Sequence, residues 1–144
     1  MFDTLPAQIG AALAATVVAF AFLKGDEPER IAGGAYILSL FASLLIQGDG
    51  DGSAGGPQWG LMAIDIVMLA VYAGLSWKSR RAWPVWATAL QSLIVMSHVL
   101  TLVDIRPPAS AFIATINLSS AGILLSIAVG TFWAWQERRA AGLE

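Results

Sequence analysis

Five long apolar stretches, separated by short polar segments, dominate the sequence. A helix that crosses the roughly 30 Å hydrocarbon core of a bilayer needs about 20 mainly apolar residues, because each residue rises about 1.5 Å. The segments between the stretches, at 24–30, 48–58, 78–83 and 105–110, are rich in charged residues, glycine or proline and are predicted to be loops. The apolar stretches run from Leu5 to Leu23, Ile31 to Gln47, Trp59 to Trp77, Pro84 to Asp104 and Ala111 to Gln136. The pattern predicts an all-α integral membrane bundle of five transmembrane helices, with residues 1–144 forming a single transmembrane domain.

The basic residues predict how these helices are oriented. Lysine and arginine accumulate in the cytoplasmic loops close to membrane spans. Seven of the eight lysines and arginines fall in the first loop, the third loop and the C-terminal tail, and only Arg106 falls on the opposite side. We therefore expect the N-terminus outside and the C-terminus in the cytoplasm, with the chain integral to the inner membrane of a bacterial-type cell.

The composition agrees with a membrane protein and excludes several kinds of function. Of the 144 residues, 57% are hydrophobic and 12% are charged, against roughly 25% charged residues in soluble domains. The net charge of −2 and the lack of a basic stripe argue against nucleic-acid binding. Without cysteine and with one histidine, the chain has no disulfides, no thiol nucleophile and no two-histidine metal site of its own. Since no catalytic or nucleotide-binding motif is found either, an enzyme is not expected.

Two ionisable residues lie inside the predicted spans, Asp65 and His98. A charged side chain at the centre of a bilayer costs about 2.5–3.5 kcal/mol on insertion scales, so each of them marks a candidate functional site. Asp65 follows Trp59 by six residues and His98 precedes Asp104 by six, which places both about 9 Å below the outer interface. We expect the carboxylate and the imidazole to form a hydrogen bond between the third and fourth helices.

Three further polar residues extend this candidate site. Tyr72 follows Asp65 by seven residues and Gln91 precedes His98 by seven, so each pair shares one helix face and a second polar pair is predicted deeper in the membrane. Asn117, on the fifth helix, is predicted at the level of Asp65. The intramembrane polar site expected from the sequence, either a proton relay or a ligand site, comprises Asp65, His98, Asn117, Tyr72 and Gln91.

A second candidate site is basic. Lys78, Arg80 and Arg81 lie beside Trp83 and Trp86, where they would contact anionic lipid headgroups, each charge contributing about 1 kcal/mol near the surface. The same three residues would equally serve as a topology signal and nothing more.

Three functions remain open at this stage. The first is a structural or accessory subunit that assembles with itself or with a larger membrane complex. In such a subunit Asp65 and His98 would only hold helices together, and small residues at one-turn spacing would suit a homo-oligomer. The second is a small proton-linked channel or transporter, because imidazole changes charge near neutral pH. The third is a protein that binds haem or chlorin through His98, or a quinone headgroup at the same layer. No other metal or cofactor is indicated.

Overall fold

The computed structural model describes residues 5–48, 59–103 and 108–143. All regular structure in these residues is α-helical. Four helices, α2 to α5, are long and apolar enough to cross a membrane, whereas α1 contributes a shorter apolar helix over Gln8–Lys24. The helices are α1 Leu5–Lys24, α2 Glu27–Gly48, α3 Trp59–Ser79, α4 Trp83–Leu102 and α5 Ala109–Ala140. The predicted all-α architecture is confirmed. Residues 49–58 and 105–107 of the predicted loops lie outside the described residues, whereas Ala109 and Ser110, also predicted in a loop, belong to α5.

Helix α2 begins four residues before the predicted span, at Glu27. The cause is local: the Asp26 backbone N–H donates to the Glu29 carboxylate at 2.9 Å, and the Arg30 N–H donates to the Asp26 carbonyl at 3.1 Å. The hydrogen bond between the Asp26 N–H and the Glu29 carboxylate is half of a capping box, in which the side chain of the third helical residue accepts from the backbone of the residue before the helix. The prediction of a loop over 24–30 is therefore wrong for residues 27–30.

Helices α2 to α5 close into a ring, because each contacts the next in sequence and α2 also contacts α5. Among the described residues, α1 contacts only α2 and α5. Helix α1 therefore packs over the seam between α2 and α5. The other four helices surround the centre of the bundle.

Close packing of α5 on α4 depends on glycine. A Cβ atom added at Gly130 would lie 2.3 Å from Cδ1 of the Trp83 indole, and one added at Gly122 would lie 2.7 Å from Cδ1 of Leu90. Trp83 itself is buried. Two small residues of α5, Gly122 and Gly130, thus pack against α4 within one chain.

The two ends of the bundle differ in chemistry. The α1–α2 turn, the α3–α4 turn and the C-terminal part of α5 meet at one end, where Arg81 contacts both Asp26 and Glu137. We call this the Arg81 end. The opposite end, where α3 begins, is called the Trp59 end.

Candidate functional site

The carboxylate of Asp65 on α3 is held by two side chains of α4. Nε2 of His98 lies 3.0 Å from Oδ2 of Asp65. Nε2 of Gln91 donates to Oδ1 at 2.9 Å and to the Asp65 backbone carbonyl at 3.2 Å. Because Gln91 and His98 are seven residues apart on one helix, both reach α3 from the same face. Each carboxylate oxygen therefore has a partner, and the orientation of the carboxylate is fixed.

These groups are largely shielded from the surroundings of the bundle. Gln91 and His98 are buried, and the side chain of Asp65 is 22% exposed. The ring of Phe112 on α5 packs edge-on against the His98 ring, with centroids 5.8 Å apart and an angle of 82° between the planes. Asp65 is thus the member of the trio with the most accessible surface.

The trio lines a partly open cavity of about 220 Å³ between α2, α3, α4 and α5. Apolar side chains, among them Met68 and Ile123, form part of its wall. The other part consists of hydroxyl, amide, carboxylate and imidazole groups that can donate or accept hydrogen bonds. The polar lining residues are Tyr36, Ser39, Ser43, Asp65, Gln91, His98 and Ser120.

The structure does not bring all five predicted residues together. Gln91 reaches the level of Asp65 instead of pairing with Tyr72. Tyr72 is fully buried, and its hydroxyl has no hydrogen-bond partner among the described residues. Asn117 lies on an exposed face of α5, and Ser120 lines the cavity in its place. Counting residues from a helix end predicts the depth of a side chain but not the direction in which it points.

A second polar cluster, which sequence reasoning missed, lies at the Arg81 end and centres on Glu29. This side chain is fully buried. Its Oε1 accepts hydrogen bonds from Nε1 of Trp83 at 2.7 Å and from Nη1 of Arg81 at 3.1 Å. Its Oε2 accepts the Asp26 N–H. One carboxylate thereby joins the start of α2 to the α3–α4 turn and the start of α4.

Asp26 extends this cluster to α5. Its Oδ2 accepts a hydrogen bond from Nη2 of Arg81 at 2.6 Å, and its Oδ1 pairs with Arg138. Arg81 also pairs with Glu137 at 3.4 Å. We refer to Asp26, Glu29, Arg81 and Arg138 as the ion-pair cluster. The spacing of Asp26 and Glu29 carries a capping signal, but nothing in the sequence pairs Glu29 with Arg81, 52 residues away.

The three basic residues predicted to contact lipid have different surroundings. Lys78 pairs with Glu27 at 2.8 Å. Arg81 belongs to the ion-pair cluster. Arg80 is exposed and makes no ion pair or hydrogen bond with any described residue. Arg80 is therefore the one of these three residues whose positive charge is available to an external anion.

The dimensions of the cavity limit what it can hold. Pockets for drug-sized ligands occupy about 300–1,000 Å³, so a space of about 220 Å³ favours a small hydrogen-bonding molecule over a haem or chlorin macrocycle. In the part of the chain that the structure describes, no three His, Asp or Glu side chains are grouped to hold a metal ion. His98 could offer an iron only one nitrogen without first releasing Asp65.

Fold and site together define a helical protein with several helices of membrane-spanning length and a carboxylate–imidazole–amide trio on the wall of an internal cavity. In comparisons with known proteins, no protein family, no curated protein and no solved structure matches this chain.

Proposed function

We propose that the protein is a small proton-linked membrane channel or transporter, in which Asp65 and His98 bind and release protons at the cavity. The observation that carries this proposal is the Asp65 carboxylate, hydrogen-bonded to His98 and Gln91 on the wall of a cavity with many polar groups. Carboxylate and imidazole side chains inside membrane helices commonly form proton relays. A pair that only held helices together would need no space beside it, whereas about 220 Å³ adjoins this one.

The geometry supports a specific division of roles. Nε2 of His98 and Oδ2 of Asp65 are close enough to share a proton. Each partner lowers the cost of burying the charge of the other. Gln91 donates to the second carboxylate oxygen and keeps it oriented toward α4. A water molecule or small substrate in the cavity would exchange its proton with Asp65, the most exposed member of the trio.

Polar side chains continue from the cavity toward the Arg81 end and support a route for protons. On α2, Tyr36 and Ser43 are seven residues apart, share one face and line the cavity. On α3, the unpartnered hydroxyl of Tyr72 lies two helical turns from Asp65. About three turns along α3 from Asp65 lies a pair of hydroxyl groups, since the side-chain oxygens of Ser76 and Thr88 are 3.1 Å apart.

Proton flux through proteoliposomes tests the proposal. The purified protein is reconstituted with an internal pH-sensitive dye, and a potassium diffusion potential drives protons inward. We expect Asp65→Asn to reduce the flux at least about tenfold, because an amide cannot bind the transferred proton. Asn117→Ser, which alters a polar residue of α5 outside the cavity, is the matched control and should leave the flux unchanged. Equal flux through the wild type and a folded Asp65→Asn variant refutes the proposal.

NMR of the His98 imidazole provides a second measurement. The chain has one histidine, so the imidazole NMR signals of the labelled protein report on His98 alone. We expect Asp65→Asn to shift these signals, because an amide in place of the carboxylate changes the hydrogen bond at Nε2 of His98. Signals that are the same in the wild type and in Asp65→Asn would contradict the pairing on which the proposal rests.

We also propose five membrane spans in the inner membrane, with the N-terminus outside and the Arg81 end in the cytoplasm. Support comes from the basic residues, since the two turns and the helix terminus that meet at this end carry seven of the eight. The chain lacks cysteine, so single cysteines can be placed at Ser110 and Ala140, which are exposed at opposite ends of α5. A membrane-impermeant maleimide should label Ser110→Cys in intact spheroplasts and Ala140→Cys only after lysis. The reverse pattern would overturn the orientation.

The assembly state stays a prediction. A homo-oligomer or association with other membrane subunits was expected partly from small residues on α5. The contacts of Gly130 with Trp83 and of Gly122 with Leu90 occupy part of that face within one chain. Native mass spectrometry of the protein extracted gently from its own membrane measures the copy number and any partner subunits. Constant co-extraction with an unrelated subunit would favour the accessory role over an independent transporter.

A further inference from the structure

A groove of about 470 Å³ lies between α4 and α5 at the Arg81 end, apart from the Asp65 cavity. Buried Gly130 lies at its base, and the more exposed Leu125 and Val129 contribute apolar surface along α5. Two exposed indoles, Trp86 on α4 and Trp133 on α5, also line it. The groove therefore combines an apolar length of helix with aromatic rings near the helix ends.

Arg80 lines the same groove and is unusual in its backbone. It follows the last residue of α3 and has a φ of 52°, in the left-handed region that favours glycine. Its guanidinium has no partner among the described residues, whereas the neighbouring Arg81 pairs with Glu29, Asp26 and Glu137. Arg81 and Glu137 also line the groove, but they pair with each other at 3.4 Å. Among the described lining residues, Arg80 is therefore the cation available to a ligand.

We propose that an anionic phospholipid occupies this groove, with its phosphate at Arg80 and an acyl chain along α4 and α5. The location fits, because α4 and α5 are long and apolar enough to cross a membrane and indole rings prefer the level of the headgroups. The charge fits as well, because a guanidinium binds phosphate oxygens in a two-pronged geometry. An anionic headgroup such as phosphatidylglycerol carries no positive group, so nothing in it would repel the guanidinium of Arg80. This site does not depend on proton transport through the Asp65 cavity.

Native mass spectrometry tests the proposal with defined lipids. The protein is reconstituted in equal amounts of phosphatidylglycerol and phosphatidylcholine, and the lipids retained after detergent release are counted. We expect phosphatidylglycerol to be retained preferentially, and Arg80→Gln to reduce that retention about fivefold, the effect of one basic charge near an anionic surface. Lys78→Gln is the matched control, because it removes one positive charge from the neighbouring end of α3 and should change retention little.

Two further variants keep the test decisive. Arg80→Gly relieves the left-handed backbone, so it should fold at least as well as the wild type and still lose the preference for phosphatidylglycerol. Phosphatidylglycerol with brominated acyl chains should quench tryptophan fluorescence less in Trp86→Phe than in Trp77→Phe, since Trp77 is exposed but does not line the groove. Equal retention of the two lipids, or equal losses in Lys78→Gln and Arg80→Gln, would overturn the proposal in favour of unspecific attraction to the charged end.

Discussion

Removing the carboxylate of Glu29 should destabilise the protein more than removing any exposed charge. This side chain is fully buried and accepts hydrogen bonds from Trp83, Arg81 and the Asp26 backbone. All three partners are donors. In Glu29→Gln one of the carboxylate oxygens becomes an NH₂ group, which is itself a donor and would face one or more of these donors.

The expected magnitude follows from this geometry. A hydrogen bond to a charged group contributes about 1.5–3 kcal/mol, and removing one member of a buried ion pair costs about 3–5 kcal/mol. Arg81 retains Asp26 and Glu137 after the substitution, so the loss belongs at the lower end of these ranges. We expect Glu29→Ala to lower the free energy of unfolding by about 3 kcal/mol and Glu29→Gln by about 2 kcal/mol.

Glu27 supplies the control, because it belongs to the same first turn of α2. It pairs with Lys78, and the two side chains are 69% and 71% exposed, so Glu27→Gln should cost about 0–1 kcal/mol. Unfolding is measured by SDS titration in mixed micelles, followed by tryptophan fluorescence. Equal losses in Glu29→Gln and Glu27→Gln would refute the claim that a buried carboxylate joins the helices at this end.

Two further predictions concern packing and the unpartnered hydroxyl. Gly130→Ala places a methyl group about 2.5 Å from Nε1 of Trp83. We expect the free energy of unfolding, measured by the same SDS titration, to fall by about 1–3 kcal/mol. An unchanged midpoint would show that α4 and α5 leave room for a methyl group at this position. Tyr72→Phe removes a buried hydroxyl without a partner, so the free energy of unfolding should stay the same or rise by up to about 1–3 kcal/mol, while proton flux falls if this hydroxyl lies on the route. A clear loss of stability would show instead that the Tyr72 hydroxyl has a bound partner.

Much of the fold could be predicted from the sequence because its signals are local. Apolar length predicts helices of membrane-spanning size, and α3 begins at Trp59, as expected. The run of charged residues at 24–30 predicts a loop, so the sequence places the start of α2 too late. In the structure Asp26, Glu27 and Glu29 form ion pairs, so the segment can begin a helix and bury Glu29. Hydropathy averages cannot distinguish a solvated charge from a paired one.

The candidate site was predictable only in part, for a geometric reason. Residue counts from the helix ends bring Asp65 and His98 to one depth, and the short α3–α4 connection makes the two helices neighbours. The same counts failed to separate Asn117 from Ser120, which are three residues apart but differ in whether they line the cavity. The direction of a side chain on α5 depends on the rotation of that helix about its axis, and the rotation depends on packing between helices, such as the close contact of Gly130 with Trp83.

The two polar sites of the bundle differ in the groups that face their carboxylates. In the ion-pair cluster, Asp26 and Glu29 face the guanidinium groups of Arg81 and Arg138, which stay protonated in proteins. Asp65 has no such partner among the described residues, because its side-chain contacts are an amide and an imidazole. The carboxylates of the cluster are thus held in ion pairs that join helix ends, whereas Asp65 lies beside an imidazole on the wall of a cavity. For this reason the proposed proton exchange is assigned to Asp65 and His98, and Glu29 is assigned to the joining of α2 and α4.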